Sequence, residues 1–253
     1  LKHLILPDVQ AKPGHDFTFL NHVGRYICEK RPEVIVCIGD FADLPSLSSY
    51  DVGKKSFEGR RYKADVEATH AAMEALLQPL KAYNDSAVKN HKERYRPRMI
   101  LTLGNHEHRI NRVVDSDPKL DGTISLDDLK YTSWGWEVYD YLDVVVVDGV
   151  AYSHFFTSGV MGRPVASARA LVQKKHQSCV MGHVQMDQIY SEHTADGKRI
   201  TGIFAGCCYE HDELYLGAQG NNYWRGIWML HDVKDGEFEP MQVSLSYLRK
   251  KYS

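Results

Sequence analysis

Met99-Ile100-Leu101-Thr102-Leu103-Gly104-Asn105-His106-Glu107 is the stretch that decides the fold of this chain. A mostly apolar run stops at a glycine and hands over to an amide, an imidazole and a carboxylate. A buried strand ending this way aims the Asn105 oxygen and the His106 ring out of its C-terminal end. Open α/β sheets bind their ligands there. Asn105 also reads as a helix N-cap behind a glycine turn. By itself the stretch therefore supports a capped turn as well as a site.

Three further apolar runs end on polar residues of the same kind. Leu4-Ile5-Leu6 leads through Pro7 to Asp8-Val9-Gln10. Val34 to Ile38 is continuously apolar, as a strand buried on both faces should be, and leads to Gly39-Asp40-Phe41-Ala42-Asp43. Ser178 to Met181 leads to Gly182-His183-Val184-Gln185. Between the first two runs, Phe17, Leu20, Val23 and Ile27 recur at helical spacing over Asp16 to Glu29. Strand, helix, strand is the pattern of a parallel pair.

A polar loop is expected over 44–59, then a helix over 60–84 carrying Val66, Met73, Leu76, Leu77 and Leu80, then a shorter charged helix over 85–95. Ile110, Val113 and Val114 place a helix behind His106, and 115–136 reads as loop with one helical turn over 126–129. Val144 to Val147, Asp148-Gly149 and Val150 to His154 read as a hairpin. A helix over 165–176 and strands near 188–193, 200–204, 226–231 and 238–243 follow. A βαβ first half and a strand-rich second half predict an αββα sandwich of two mixed sheets flanked by helices, in one domain over 1–253.

Composition excludes little but excludes it cleanly. A net charge of −2 gives no global pull toward nucleic acid or anionic lipid. No apolar run is long enough for a membrane span, and no signal-peptide pattern opens the chain, so no membrane partner is expected. Five scattered cysteines suit neither a disulfide framework nor a CxxC metal site, and the cytoplasm is the expected setting.

Taken together, the strand ends supply Asp8, Asp40, Asn105, His154 and His183, with Asp43 and His106 beside them. Carboxylate, amide and imidazole mixed in this way suit Mn²⁺, Fe or Zn²⁺ better than Ca²⁺. Here the sequence resembles the calcineurin-like metallophosphoesterases, whose pattern runs DxH, GDxxD, GNHE, a lone His after a strand, then GHxH. The match covers about residues 4–185, and its GDxxD and GNHE elements are specific in combination.

The resemblance implies a two-metal site between the sheets. Asp40 would bridge both ions, Asp8 would hold the first, and Asn105, His154 and His183 the second. A metal-activated hydroxide would attack phosphorus. His106, oriented by Asp43, would protonate the leaving oxygen. Glu107 is left out of the ligand set as a residue that bonds nearby backbone.

The chain departs from the pattern at two linked positions. Gln10 and Gln185 stand where the family has histidines, both on the first metal. An amide oxygen is a harder and weaker donor than imidazole, so Gln10 and Gln185 are expected to make a weak first site favouring Mn²⁺ or Mg²⁺ over Zn²⁺. The alternative is a single ion with both amides turned away. Leu44-Pro45 after Asp43 also removes the arginine of the GDxVDRG motif of protein phosphatases. His108 and Arg109 are candidates to grip phosphate instead.

Outside the motifs, cations cluster at 54–63 and 89–98, and Tyr209, His211, Tyr215, Tyr223, Trp224 and Arg225 crowd 207–225. The clusters read as phosphate-tracking loops or solvated faces, and the aromatic segment as a base-stacking loop or a packed one. Lys174, Lys175 and His176 read as a helix C-terminus. The expected function is a phosphodiesterase or nuclease on DNA or nucleotides. A phosphomonoesterase and a non-catalytic metal-binding scaffold are the alternatives.

Overall fold

The computed structural model describes residues 1–213 and 217–253. Its strands are β1 (His3–Leu6), β2 (Val34–Cys37), β3 (Arg98–Thr102), β4 (Glu137–Tyr139), β5 (Val145–Val147), β6 (Val150–Tyr152), β7 (Thr157–Ser158), β8 (Arg163–Pro164), β9 (Cys179–Met181), β10 (Asp187–His193), β11 (Arg199–Ala205), β12 (Gly226–Lys234) and β13 (Glu237–Ser244). Its α-helices are α1 (Thr18–Lys30), α2 (Tyr62–Lys89), α3 (His108–Ser116), α4 (Ala168–Lys175), α5 (Gly217–Gly220) and α6 (Leu245–Tyr252).

A six-stranded sheet runs β13-β12-β1-β2-β3-β4, and a five-stranded one runs β10-β11-β9-β6-β5. Both are mixed: β1 to β4 are parallel with β12 antiparallel to β1, while β9 lies parallel to both β6 and β11. The period of two along each strand sorts its side chains. Ile5, Val36, Ile100 and Trp228 face Val147, Tyr152, Val180 and Ile203 of the other sheet. Leu4, Leu6, Ile35 and Leu101 turn the opposite way, onto Leu20 and Val23 of α1 and Leu76 of α2. Helix α4 covers the far face of the second sheet through Leu171. These layers form the expected sandwich. Among the described residues no helix is long and apolar enough to cross a membrane.

Parallel strands align their C-terminal ends, so Asp8, Asp40 and Asn105 emerge along one edge. The cation cluster at 89–98 precedes β3 and lies at the opposite edge, with Arg98 paired to Glu137.

One local expectation needs correction. The charged helix over 85–95 does not exist. Helix α2 runs unbroken through Asp85 to Lys89, and the chain from Asn90 to Pro97 is not helical. Asn84, the expected last residue of the longer helix, spends its amide on the backbone of Tyr95 (Oδ1 to N 2.8 Å, Nδ2 to O 3.0 Å). Tyr95 is buried against Pro32, and that anchor keeps its segment extended. Strand β4 and helix α6 were not foreseen. Both are short, but α6 carries a legible signal: Ser244 caps it through the Tyr247 N–H (3.2 Å), and Leu245, Leu248 and Tyr252 are its buried stripe.

Helices α1 and α2 touch at Gly24. A β-carbon there would collide with the Leu76 carbonyl and come within 2.9 Å of the Pro79 ring. Gly24→Val should therefore lower unfolding free energy by about 2 kcal/mol or more through overpacking, read from urea denaturation at unchanged m-value.

Candidate metal centre

Glycine sets up two of the ligand-bearing turns by its lack of a side chain. A β-carbon on Gly104 would strike the Asp40 carboxylate and backbone nitrogen, and one on Gly182 would strike Asp8 Oδ1. The residues that follow are strained instead. Gln10, Asp40, His183 and Gln185 all have positive φ, between 47° and 69°. Non-glycine residues keep such angles only where their surroundings impose them. Here the Val9 and Gln10 N–H groups donate to Asp40 O (3.1 and 2.8 Å), and the Cys208 N–H donates to Asp8 O (2.8 Å).

Glu107 is the main constraint. It is fully buried, and its carboxylate accepts from the Asp40 and Gly104 N–H groups at Oε2 (3.0 and 2.9 Å). At Oε1 it accepts from the Ala42 N–H (2.9 Å) and the Tyr131 hydroxyl (3.0 Å). The backbone-bonding expectation for Glu107 is thus met, and the residue staples the β2 and β3 ends together.

Four side chains converge in front of this staple. Asn105 Oδ1 lies 2.9 Å from His154 Nε2 and 2.8 Å from His183 Nδ1, and Asp40 Oδ2 lies 3.4 Å from His154 Nε2. His154 Nδ1 sits 2.8 Å from the Ile38 carbonyl, which can only accept. Nδ1 therefore carries a proton in either charge state, and Nε2 faces the cluster, where loss of its own proton would turn a lone pair to an ion. Asp40, His154 and His183 each place a ligand atom within 4.8 Å of the others.

Asp8 stands alongside: its Oδ1 accepts from the His183 N–H (3.1 Å), while its buried Oδ2 has no hydrogen-bond partner. Gln10, 1% exposed, has an unpartnered Nε2. Oxygen and imidazole donors facing one another beside the orphaned Asp8 carboxylate oxygen fit a divalent cation. Gln185 lies apart in one respect, since its Oε1 accepts from the Tyr209 hydroxyl (3.0 Å).

Burial opposes charge throughout, and neighbours decide each outcome. For Asp8, burial and then the Asp40 charge push the pKa up to about 7. For Asp40 burial is outweighed by His106 and His154, which hold it below the ordinary range. For His154 burial is outweighed by the Asp40 charge and hydrogen bond, giving about 9. Burial and His154 together lower His183 to about 4.

His106 and Asp43 form a pair beside the cluster. His106 Nδ1 lies 2.8 Å from Asp43 Oδ1 and 2.9 Å from Asp43 O, and Nε2 is 3.7 Å from Asp40 Oδ2. Burial lowers the His106 pKa, but Asp40 and Asp43 outweigh it and raise the value. Asp43, despite burial, is held at about 2 chiefly by His106.

Arg109 is already engaged, with Nη1 2.7 Å from Asp43 O and Nη2 3.2 Å from His106 Nε2. His108 stacks on Tyr141 at 4.7 Å and 21°, and Tyr141 in turn lies 6.4 Å from the His154 ring. Tyr141 carried no sequence signal beyond being an aromatic residue between strands.

The described aromatics of the 207–225 segment are packed. Tyr209 is fully buried, stacks on His211 at 4.3 Å and 13°, and lies with Tyr223 under Arg225. Tyr215 lies outside the described residues. Of the 54–63 cations, Lys54 and Arg60 pair with Asp51.

A profile of the calcineurin-like phosphoesterases matches residues 1–224. Among curated proteins none matches the chain. Yfce, described as a phosphoesterase from E. coli, is 13% identical and aligns over 97% of this chain and 100% of its own, with a TM-score of 0.40. A second solved structure is 10% identical over 96% of this chain and 99% of its own, at 0.42. Both overlaps are distant.

Two outcomes are expected. Glu107→Ala strands four buried donors and should cost about 3 kcal/mol or more in urea unfolding, with loss of bound metal by elemental analysis. Ion binding must displace the protons held at neutral pH by Asp8 (about 7) and His154 (about 9). The raised His154 value stabilises the ion-free fold fully below the unfolded pKa of about 6.5, and this contribution is lost as pH rises through about 9. Mn²⁺ affinity should therefore tighten from about pH 6 to about pH 9, with proton release on binding. Titration calorimetry in buffers of different ionisation enthalpy reads both.

Proposed function

Because the chain belongs to the calcineurin-like phosphoesterase family it is a metal-dependent phosphoester hydrolase, and we propose that its substrates are phosphodiesters of DNA or nucleotides. The observation that carries this reading is the His108–Tyr141 stack beside His154. An aromatic pair next to the reacting phosphate offers a face on which a nucleobase can lie.

In this reading Asp40, Asn105, His154 and His183 hold one ion, and Asp8, Asp40, Gln10 and Gln185 hold the other. Divalent ions bound there lower the pKa of water and neutralise phosphate oxygens. His106 keeps its Nδ1 proton on Asp43, which leaves Nε2 to carry a proton to the departing oxygen. Arg109, anchored on Asp43 and close to Nε2, adds positive charge where the phosphate sits. His108 serves the base platform.

The amide ligands of the first site favour Mn²⁺ or Mg²⁺, and that site is the weaker one because Tyr209 competes for the Gln185 oxygen. A cytoplasmic setting is part of the proposal, supported by five unbridged cysteines.

One observation favours a monoester substrate instead. The 89–98 cations lie at the far edge of the sheet, where they cannot follow a polynucleotide through the site.

The test is a substrate panel in Mn²⁺. Hydrolysis of bis-p-nitrophenyl phosphate and single-stranded DNA is expected, with little turnover of p-nitrophenyl phosphate; the reverse preference supports the monoesterase. Tyr141→Leu should raise KM for a dinucleotide about tenfold. His106→Ala should lower kcat about a hundredfold or more on a dinucleotide, whose leaving alkoxide is basic, while metal content stays unchanged.

A further inference from the structure

We propose that Lys12 is a positioning residue of this reaction, its ammonium group fixing the Asp43 carboxylate in the orientation that aims His106. The inference rests on the reading of His106 as the acid that protonates the leaving oxygen.

The backbone brings Lys12 to this place. Just past β1, Ala11 pairs with Ala42 in an isolated bridge, and the Asp43 N–H donates to Ala11 O (2.9 Å). Lys12 and Asp43 are therefore neighbours whatever their side chains do. The Lys12 side chain is only 15% exposed, and its Nζ lies 3.6 Å from Asp43 Oδ2 and 2.6 Å from Glu213 Oε1. A cation so far out of water needs compensating charge, and two carboxylates supply it.

The view from Asp43 gives Lys12 a second consequence. The Asp43 side chain is 11% exposed, and its two oxygens are held from opposite sides. Oδ1 faces His106 Nδ1 at 2.8 Å and Arg109 at 3.4 Å. Among the described residues, Lys12 is the cation that faces Oδ2. Each oxygen having its own partner, the carboxylate cannot turn about its last torsion without losing one of them. The plane of the carboxylate sets the plane of the His106 ring, because the ring bonds it through Nδ1. Without Lys12, Oδ2 is a nearly buried oxygen with no cation, and the carboxylate is free to swing toward Arg109.

Lys12 has a second visible role, which the test must separate. Glu213 Oε1 also lies 2.9 Å from His211 Nε2, so Lys12 tethers the 207–225 segment to the β1 end. A tether alone would affect all substrates equally. Positioning of an acid would not, because leaving groups that depart unaided as anions need no proton, whereas basic ones depend on it.

The experiment is a series of aryl phosphoesters of graded phenol acidity, in whichever ester class the wild type hydrolyses, with Mn²⁺ content and melting temperature measured for every variant. Lys12→Met should lower kcat about tenfold or more for the phenyl ester and less than about threefold for the p-nitrophenyl ester. The plot of log kcat against phenol pKa should steepen toward that of His106→Ala. Lys12→Arg, which keeps the cation, should return the slope most of the way. Glu213→Gln, which cuts the tether and leaves Lys12 beside Asp43, should keep the wild-type slope. Lys12→Gln replaces Lys12→Met if the latter does not fold.

A uniform loss across the series in Lys12→Met, or the same steepening in Glu213→Gln, overturns the proposal. A wild-type slope in His106→Ala overturns the acid reading and Lys12 with it. A steep slope in His106→Ala beside a wild-type slope in Lys12→Met, or in Lys12→Gln where that variant replaces it, overturns the role of Lys12 alone.

Discussion

One buried carboxylate, that of Glu107, holds the ends of two strands in register, and the centre depends on it. It gathers three backbone N–H groups and a tyrosine hydroxyl from Asp40, Ala42, Gly104 and Tyr131. Asp40 can then stay in a left-handed backbone conformation that costs about 1–2 kcal/mol. From that position Asp40 Oδ1 accepts from the His106 N–H (2.9 Å), and Oδ2 faces His154. A residue that touches no ligand position thus decides where the ligand residues stand.

The centre concentrates like charges that the rest of the protein keeps apart. Asp8 and Asp40 are both buried in reach of one another, and the Asp40 charge raises the Asp8 pKa. Such a pair is costly in a low-dielectric interior unless cations join it. The histidines offer partial relief by taking protons. A divalent ion would offer more, because it could neutralise both carboxylates and engage the Asp8 oxygen that has no hydrogen bond. Four positive-φ residues at the ends of strands add a conformational cost that the contacts around them must carry.

Much of this was legible in the sequence because the relevant signals are local. A strand buried on both faces reads as an apolar run, and a glycine followed by a polar residue marks its end, so Asp40, Asn105, His154 and His183 could be placed together before any coordinates. The two-sheet sandwich followed from the change from βαβ units to hairpins. What stayed hidden depends on contacts between distant segments. Asn84 looks like the end of a helix, and its amide instead serves the backbone of Tyr95 eleven residues on. Lys12 lies two residues past Gln10 and looks like any surface lysine; only the bridge to Ala42 and the approach of Glu213 remove it from water. The 207–225 aromatics could be a platform or a packed loop by composition, and among the described ones the burial of Tyr209 between His211 and Tyr223 shows packing.

The two halves of the centre are built to different tolerances. On one side Asn105, His154 and His183 already meet within hydrogen-bonding distance, and the His154 tautomer is fixed by Ile38. On the other, Gln10 and Gln185 present neutral amides, and the second has its oxygen shared with a tyrosine that is itself bonded to Tyr223. An amide oxygen has two lone pairs, so sharing does not forbid coordination, but it lowers the electron density available to an ion. An ion on that side would leave more readily than one on the histidine side. Chemistry that needs both ions would then follow the supply of the weaker-bound one, and on the proposed reading Gln10 and Gln185 would make the rate sensitive to metal concentration without touching the residues that handle the leaving group.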